Sequence, residues 1–415
     1  MIPPSLPDAE KVDALRELIP ATRAGIYLNA GTCGPIPAES QRAMDEQTAR
    51  ELVVGRAAPD LWPEALARAE EARASVAAVM VADPADIALT HSTTDGLNAV
   101  IASLPWRPGD RVLTTNHEHP GGLGPLLALR ERLGVEVERV DVGDGGDPDR
   151  VVGAFASALQ RPARAIVASH VLWTTGAVLP VGRLGELGRE SGAITVIDGA
   201  QSAGAIPVAL DELGVDAYAM PGQKWLLGPE GMGALWVRRQ FAEATVPALA
   251  GYGSYAAFEF EAPRLHPGAR RFEVAGFHRP SVVGFARSLG WLTMYVGVPW
   301  MQERAVRLAR GTADRLAAIP GVTVVTPLPV QGTLVSFRIR GWTAAQALAE
   351  VAPRAMAVLR DLPAIDALRL SIGFWTTEAE LDRVAAVVEH VARHTPETLP
   401  PRRIAVLGSD GRPID

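Results

Sequence analysis

Short apolar segments alternate with longer amphipathic segments through the first part of the chain. The apolar segments predict seven strands, at 86–90, 111–115, 135–140, 163–169, 193–198, 215–220 and 233–238. Between most of them apolar residues recur at helical spacing, as at 63–80 and 125–133. This alternation predicts an α/β domain with a seven-stranded, mostly parallel sheet and helices on both faces. Too few residues separate the last two strands for a crossover helix, so we expect that pair to run antiparallel.

The pattern changes after residue 240 and predicts a second, smaller α+β unit. A loop rich in Gly, Tyr and Pro is followed by helical periodicity at 281–318 and 376–394, and by strands near 322–325, 333–339 and 368–372. A length of 415 residues favours two domains in one subunit. We therefore predict an N-terminal arm at 1–25, a large domain at 26–265, a small domain at 266–398 and a tail at 399–415.

Composition and charge exclude several functional classes. A formal net charge of −7 argues against a nucleic acid or an anionic membrane as the main partner. The single cysteine, Cys33, excludes an internal disulfide and a multi-cysteine metal site, and we predict no metal. The sequence has no apolar run long enough to span a membrane and no signal-peptide pattern at its start. A cytoplasmic enzyme or binding protein is the expectation that remains.

Lysine is almost absent, and this narrows the candidate chemistry. Of the 40 Lys and Arg residues, only Lys11 and Lys224 are lysine. Lys11 lies in the predicted arm, which we expect to be mobile. Arginine cannot form an imine, so chemistry that needs an ε-amino group points to Lys224.

Two predicted strands deliver polar groups to one edge of the sheet. Ligands of open α/β sheets bind beyond the carboxyl ends of the strands. Asp198 closes the strand at 193–198, and Lys224 follows the strand at 215–220. A helix cap and a surface lysine are the ordinary alternatives. Together the two residues fit pyridoxal 5′-phosphate (PLP), because Asp198 would keep the pyridine nitrogen protonated and Lys224 would hold the cofactor as a Schiff base and exchange protons at Cα.

Two other strand ends add candidate ligands. His91-Ser92-Thr93-Thr94-Asp95-Gly96 leads into a helix, where hydroxyl and N–H groups could bind a phosphate or simply cap the helix. The segment 116–122, NHEHPGG, offers a histidine that could stack on a cofactor ring or stand in a polar turn.

Several motifs together resemble the class V aminotransferase superfamily, which includes the cysteine desulfurases. They are YLNAGTCGPIP (27–37), EHPGG (118–122), SHVLWTTGAVLP (169–180), IDGAQSAG (197–204), QKWLLGPEGMGALWV (223–237), RRFEVAG (270–276) and LRLSIGFWTTEAELDRV (368–384). The pattern is most similar to the cystine C–S lyase branch. The resemblance implies an aspartate-aminotransferase-type fold and a homodimer with its active sites at the subunit interface.

The resemblance also implies roles for individual residues. His119 would stack on the pyridine ring, Gln201 would lie near its 3′-oxygen, and Arg369, helped by Arg360, would bind the substrate α-carboxylate. Thr93 and Thr94 would bind the phosphate, and Gln223 stands where the family has a histidine before the lysine. Gly276 stands where the family has a threonine that reaches the partner's phosphate, and Ser254 is a candidate substitute donor. Aromatic residues are expected to set specificity, with the loop around Cys33: Trp173, Tyr252, Tyr255, Phe277 and His278.

One departure from the family decides between reactions. Cysteine desulfurases carry a nucleophilic cysteine shortly before the position of Arg369, and the stretch 350–367 contains none. We therefore expect a C–S lyase that acts by β-elimination on cystine or a cysteine conjugate, not a persulfide-forming desulfurase. A class V aminotransferase or an amino-acid epimerase is the first alternative. A cofactor-free binding or scaffold paralogue is the second.

Overall fold

The computed structural model describes residues 7–402, 406–407 and 413–414. The strands are β1 (Ile26–Tyr27), β2 (Ile87–Thr90), β3 (Arg111–Thr115), β4 (Glu136–Val140), β5 (Ala165–Ser169), β6 (Ile194–Asp198), β7 (Ala217–Pro221), β8 (Gly233–Val237), β9 (Tyr255–Ala257), β10 (Arg264–Leu265), β11 (Val322–Val324), β12 (Leu334–Ile339), β13 (Ala357–Val358), β14 (Arg360–Leu362), β15 (Ala367–Ser371), β16 (Val406–Leu407) and β17 (Pro413–Ile414). The α-helices are α1 (Asp8–Glu17), α2 (Ala21–Ala24), α3 (Ala38–Val54), α4 (Leu61–Met80), α5 (Thr93–Ile101), α6 (Pro120–Leu133), α7 (Pro148–Ala158), α8 (Val181–Ser191), α9 (Arg239–Ala244), α10 (Arg279–Trp291), α11 (Val298–Ala317), α12 (Ala344–Ala355) and α13 (Glu378–Ala392).

The large sheet has seven strands in the order β2-β8-β7-β6-β5-β3-β4. The pairs among β3, β4, β5, β6 and β7 are parallel, while β8 runs antiparallel to both β2 and β7. The predicted seven-stranded, mostly parallel sheet is therefore confirmed, including the antiparallel last pair.

Both faces of this sheet are buried. Successive residues of one strand enter two different hydrophobic clusters: Leu113 joins the cluster packed under α4 and α8, and Val112 joins the one packed under α5 and α6. Apolar side chains on both faces explain why the strands are apolar throughout rather than alternating.

A second sheet, in the order β11-β12-β15-β14, is antiparallel and packs on α11, α12 and α13. The N-terminal strand β1 pairs in parallel with β13, and the main-chain N–H of Ser371 donates to the Leu28 carbonyl at 2.8 Å. These contacts bring the segment after β1 to the edge where β15 ends.

Two regions differ from the prediction. The arm contains a helix, α1, in which Lys11 is buried and its Nζ lies 4.0 Å from the centre of the Trp300 ring. Lys11 is thus fixed against Trp300 rather than mobile. The predicted loop after residue 240 contains α9 and the β9–β10 hairpin.

Candidate active site

Lys224 stands just beyond β7, in a turn that packs against the N-terminal segment. The Gly34 N–H donates to the Gln223 carbonyl at 2.7 Å, and a Cβ added at Gly34 would lie only 2.0 Å from the Lys224 carbonyl oxygen. Burial lowers the pKa of Lys224 to about 8, while the Asp198 carboxylate opposes that shift. A larger fraction of neutral amine is therefore available near neutral pH than an ordinary lysine provides.

Asp198 closes β6, the strand next to β7 in the sheet. Its side chain is buried, and Oδ1 accepts a hydrogen bond from the Ala200 N–H at 2.9 Å. Burial raises the pKa of Asp198 and Lys224 lowers it. Lys224 and Asp198 thus lie close enough to interact electrostatically.

His119 caps the N-terminus of α6. Its Nδ1 accepts from the Gly121 N–H at 3.0 Å, which leaves Nε2 to carry the proton of the neutral ring. Burial, with Lys224, Arg360 and Arg369, lowers the pKa of His119 to about 4. A neutral imidazole suits stacking on a cationic pyridine ring.

Glu118 is a buried site residue that the sequence analysis did not single out. Its carboxyl accepts from the Thr115 hydroxyl at 2.6 Å and from the Ser169 N–H at 3.0 Å, and the Ser169 hydroxyl donates to it as well. Burial, with a contribution from Asp198, raises its pKa to about 7. The only hint in the sequence was its place before His119. We call Glu118, His119, Asp198 and Gln201 the strand-end group.

Gln201, the fourth member, is held by hydrogen bonds at both ends of its amide. Its Nε2 donates to the Gly31 carbonyl at 2.8 Å, and its Oε1 accepts from the Trp225 indole N–H at 3.1 Å. The amide of Gln223 is not held at both ends as that of Gln201 is. Its Oε1 is buried, and no described residue donates a hydrogen bond to it.

The predicted phosphate residues lie at the N-terminus of α5. Ser92 is the cap, since its hydroxyl accepts from the Asp95 N–H at 3.1 Å, and Thr93 and Thr94 form the first turn. A Cβ added at Gly121 would lie 2.5 Å from Thr94 Oγ1 and 3.1 Å from His119 Nδ1. Thr94 and His119 therefore both border Gly121, where only a glycine fits.

Ser254 does not supply a free donor. Its hydroxyl donates to the Glu273 carbonyl at 2.8 Å and accepts from the Gly251 N–H, and the residue is fully buried. A local turn uses this hydroxyl, which favours weaker cofactor binding over Ser254 as the replacement for the missing phosphate ligand.

Arg369 projects from the middle of β15 and is 1% exposed. Its Nη1 donates to the Trp173 carbonyl at 3.0 Å, whereas Nε and Nη2 find no acceptor in the described part of the chain. The Ser371 hydroxyl, two residues along the same strand, is likewise buried without a partner among those residues. We call Trp173, Arg369 and Ser371 the arginine group.

Gly31 and Arg360 border the arginine group. A Cβ at Gly31 would lie 2.7 Å from Arg369 Nη2 and 2.8 Å from Ser371 Oγ. Arg360 lies directly opposite Arg369 in the β14–β15 ladder, and its Nη1 donates to Thr32 Oγ1 at 3.2 Å. Burial and the Arg360 charge lower the pKa of Arg369.

Of the aromatic residues predicted to set specificity, Trp173 contacts the strand-end group. Its ring meets His119 edge-on, with centroids 5.1 Å apart. The others have different neighbours: Phe277 stacks on His91, and His278 hydrogen-bonds Ser281. The Tyr252 ring packs at a tilt against Trp62, and Tyr255 meets Phe258 edge-on.

Cys33 lies near Lys224. Its Sγ is 3.6 Å from Glu230 Oε1, and burial together with Glu230 raises the pKa of the thiol. A thiol kept protonated in this way is a poor nucleophile.

The arrangement fits the predicted cofactor. It combines an amine of lowered pKa, a buried carboxylate, a neutral imidazole and a helix N-terminus. Five of the buried atoms left without partners by the described residues also belong to this site: Trp173 Nε1, Gln223 Oε1, Arg369 Nε, Arg369 Nη2 and Ser371 Oγ. Within those residues there is no cluster of side chains suited to a metal ion, and no helix is both long and apolar enough to cross a bilayer.

Comparison with known proteins places the chain among PLP-related enzymes. The profile of the family "Aminotransferase class-V" matches residues 26–384. A probable cysteine desulfurase of Methanothermobacter thermautotrophicus is 29% identical over 333 residues, which cover 79% of this chain and 82% of the relative. An isopenicillin N epimerase of Amycolatopsis lactamdurans is 28% identical over 413 residues, covering 91% and 98%.

Solved structures of one enzyme are also similar over most of their length. The cystine C–S lyase C-DES, in complex with its reaction product cysteine persulfide, superposes with a TM-score of 0.84 at 25% identity, covering 89% of this chain and 99% of that chain. A C-DES mutant with glycine covalently linked to the PLP cofactor superposes with a TM-score of 0.85, again at 25% identity, covering 90% and 98%.

Proposed function

Because the chain belongs to the aminotransferase class-V family, we propose that it is a PLP-dependent C–S lyase that acts by β-elimination. Its substrate class is an amino acid with sulfur on Cβ, such as cystine or another cysteine conjugate. The observation that carries the proposal is Lys224 beside Asp198, with the free edge of Arg369 in the same site. When bound, PLP supplies an electron sink for negative charge at Cα.

The strand-end group and its neighbours would hold the cofactor. Lys224 would bond to its aldehyde carbon, the Asp198 carboxylate would pair with the pyridine nitrogen, and His119 would cover one face of the ring. Thr93, Thr94 and Gln223 would serve the phosphate, and Gln201 the 3′-oxygen. The electrostatic contact between Lys224 and Asp198, and the place of Thr93 and Thr94 in the first turn of α5, support this assignment.

Arg369 would bind the α-carboxylate of the substrate. Its Nη1 is occupied by Trp173, so the Nε and Nη2 edge remains, and two parallel donors on one edge match the two oxygens of a carboxylate. Arg360 adds a second positive charge next to it. With the carboxylate fixed, Lys224 would take the Cα proton, and its pKa of about 8 places it in the range of an efficient base.

The missing cysteine favours elimination over desulfuration. No cysteine lies in α12, β13 or β14, which precede Arg369, and the chain's one thiol, Cys33, is kept protonated beside Glu230. Sulfur would therefore leave with the product rather than pass to the protein. The likeness to C-DES supports this choice.

An amino-acid epimerase is the second candidate. The isopenicillin N epimerase relative aligns with this chain over nearly its whole length. Epimerisation at Cα requires a base that removes the Cα proton, and Lys224 could serve as that base. An aminotransferase uses the same base and differs in where the proton returns. Both alternatives leave the carbon–sulfur bond intact.

Product analysis separates these reactions. The purified protein, supplied with PLP, is incubated with L-cystine and with S-ethyl-L-cysteine, and pyruvate, persulfide, free thiol and the configuration at Cα are measured. Pyruvate in an amount equal to cysteine persulfide from L-cystine, and equal to ethanethiol from S-ethyl-L-cysteine, with both lost in Lys224→Ala, supports the lyase. A racemised amino acid without pyruvate would establish the epimerase, and a sulfur-containing keto acid the aminotransferase.

We also propose that the protein is a homodimer. Support comes from large apolar side chains that the described chain leaves exposed on α3, α4 and the β9–β10 region: Leu52, Val53, Trp62, Tyr252, Phe258 and Phe260. Light scattering on the purified protein measures the mass directly, and a single 44.0 kDa species would contradict the proposal.

A further inference from the structure

Glu118 is a buried carboxyl that the proposed chemistry does not use. It is 6% exposed, and its carboxyl contacts the Thr115 hydroxyl at 2.6 Å, the Ser169 N–H at 3.0 Å and the Ser169 hydroxyl. These three partners are uncharged. Burying a charge without a counter-charge is unfavourable, so a carboxyl in such surroundings holds its proton more tightly than one in water. Burial, with a contribution from Asp198, accordingly raises the pKa of Glu118 to about 7.

Glu118 and Asp198 lie on the same face of the large sheet. Ser169, which binds Glu118, is the partner of Asp198 in the β5–β6 ladder, and partners in a ladder point to one face. A Cβ added at Gly122, on α6, would lie 3.6 Å from Asp198 Oδ2 and 3.9 Å from Glu118 Oε2. Another neighbour of that point, Leu97 on α5, is apolar. The two carboxyls therefore border one small space, and Asp198 is the charged group that faces Glu118 there.

The surroundings decide which of the two carboxyls carries the negative charge. Two buried carboxyls that interact are not both ionised without a large cost. The charge on Asp198 is stabilised by the Ala200 N–H and by Lys224, which lowers the pKa of Asp198. Glu118 has only hydroxyl and main-chain N–H partners. The charge is therefore expected on Asp198 and the proton on Glu118.

We propose that Glu118 is a positioning residue that acts as a neutral acid, anchors the turn that carries His119, and leaves the negative charge at the cofactor's ring nitrogen to Asp198. In this form Oε1 still accepts from Thr115 and from the Ser169 N–H, while Oε2 carries the proton and donates to Ser169 Oγ. The inference rests on the proposed function only as far as the cofactor. A lyase, an epimerase and an aminotransferase would all use the same ring nitrogen.

Infrared difference spectra between the native protein and Glu118→Gln show whether Glu118 holds the proton. Both proteins are measured without PLP, and the acids that they share cancel in the difference. At about pH 6 the native protein should show the extra band of a protonated, buried carboxyl, and this band should fade by about pH 8.5. No extra band at about pH 6 would mean that Glu118 is already ionised, and would overturn the inference.

PLP affinity, followed by visible absorbance, tests the positioning role without any substrate. Glu118→Gln keeps a neutral group with an acceptor and a donor in the same places, so its affinity should stay within about twofold of the native value. Glu118→Leu leaves the Thr115 hydroxyl and the Ser169 N–H without their acceptor, and should weaken PLP binding about tenfold. Glu131→Leu, at an exposed position of α6, is the matched control and should bind PLP normally.

A milder variant keeps the test decisive if Glu118→Leu does not fold. Thr115→Val removes one hydroxyl at nearly constant shape and should weaken PLP binding about threefold. Equal losses in Glu118→Gln and Glu118→Leu would show that the charge of Glu118 is needed, and unchanged affinity in Glu118→Leu and Thr115→Val would show that Glu118 positions nothing. Either result would overturn the inference. Normal results in these tests without pyruvate from any substrate would refute the proposed reaction and leave the role of Glu118 supported.

Discussion

Two groups of side chains meet at the site, and they differ in how fully the protein satisfies their hydrogen bonds. In the strand-end group, Gln201 is bound at both ends, Glu118 accepts from three donors, and Asp198 and His119 are each fixed by a main-chain N–H. In the arginine group, four donor atoms have no partner among the described residues.

The difference matches what each group is proposed to bind. A cofactor that stays bound benefits from a rigid, preformed surface, which reduces the ordering cost of binding. A substrate binds and dissociates in each turnover, and its acceptor atoms must find free donors on the protein. Donors that were already hydrogen-bonded to other protein groups could not bind those acceptors. Changes in the arginine group should therefore affect substrate binding, and changes in the strand-end group should affect the cofactor or the fold.

The largest effect is expected at Lys224, where the two groups meet. Lys224→Ala should lower turnover more than about 10⁴-fold, because both the covalent attachment and the base are lost. Lys224→Arg keeps the positive charge but cannot form an imine, so it should be equally inactive. Steady-state pyruvate release measures both, and activity in Lys224→Arg would show that charge alone is enough.

The next largest effect is expected at Arg369. Arg369→Ala should lower kcat/KM about 10²- to 10³-fold, mainly through KM, because the α-carboxylate loses its paired donors. PLP affinity, followed by its visible absorbance, should change little. Arg338→Ala, an exposed arginine on β12, is the matched control and should retain full activity. A loss of PLP binding in Arg369→Ala would show that the arginine group also binds the cofactor, and the two groups would then not differ in what they bind.

A smaller effect in the same direction is expected at Gly31. In Gly31→Ala the new Cβ would lie 2.7 Å from Arg369 Nη2 and 2.8 Å from Ser371 Oγ, so the guanidinium must shift. We expect kcat/KM to fall between about tenfold and a hundredfold. Gly153→Ala on α7, where an added Cβ has nothing within 4 Å, serves as the control. Equal activity of the two variants would show that the guanidinium position is not critical.

The change expected at Glu118 concerns the stability of the protein against pH rather than its activity. Its folded-state pKa of about 7 exceeds the ordinary 4.5, so the folded protein holds this proton more tightly than the unfolded chain. The free energy of unfolding should therefore fall, relative to Glu118→Gln, by roughly 2–3 kcal/mol as pH rises from about 4.5 through about 7. Urea titrations of both proteins across that range measure the difference. A constant difference would mean that Glu118 is ionised throughout.

The strands of the large sheet could be predicted from the sequence. Segments such as 111–115 are short and combine β-branched with apolar residues, a composition that favours a buried strand. Lys224 and Asp198 could be predicted as site residues because each lies at the carboxyl end of a strand, and the carboxyl ends of parallel neighbours such as β6 and β7 lie at the same edge of the sheet. The two-residue strands β1 and β13 carry no periodicity, so their pairing could not be predicted. Arg369 and Trp173 were named through the family resemblance, but their contact could not be predicted, since the bond from Arg369 to the Trp173 carbonyl joins residues 196 positions apart through a main-chain atom.

The most direct test of the account is to locate the covalently bound cofactor. The protein is reconstituted with PLP, reduced with borohydride to fix the lysine–cofactor bond, digested and examined by mass spectrometry. Among the side chains, only those of Lys11 and Lys224 can carry the label. We expect a stoichiometric phosphopyridoxyl label on Lys224 and none on Lys11, which is held against Trp300. An unlabelled Lys224 would show that this residue does not hold the cofactor.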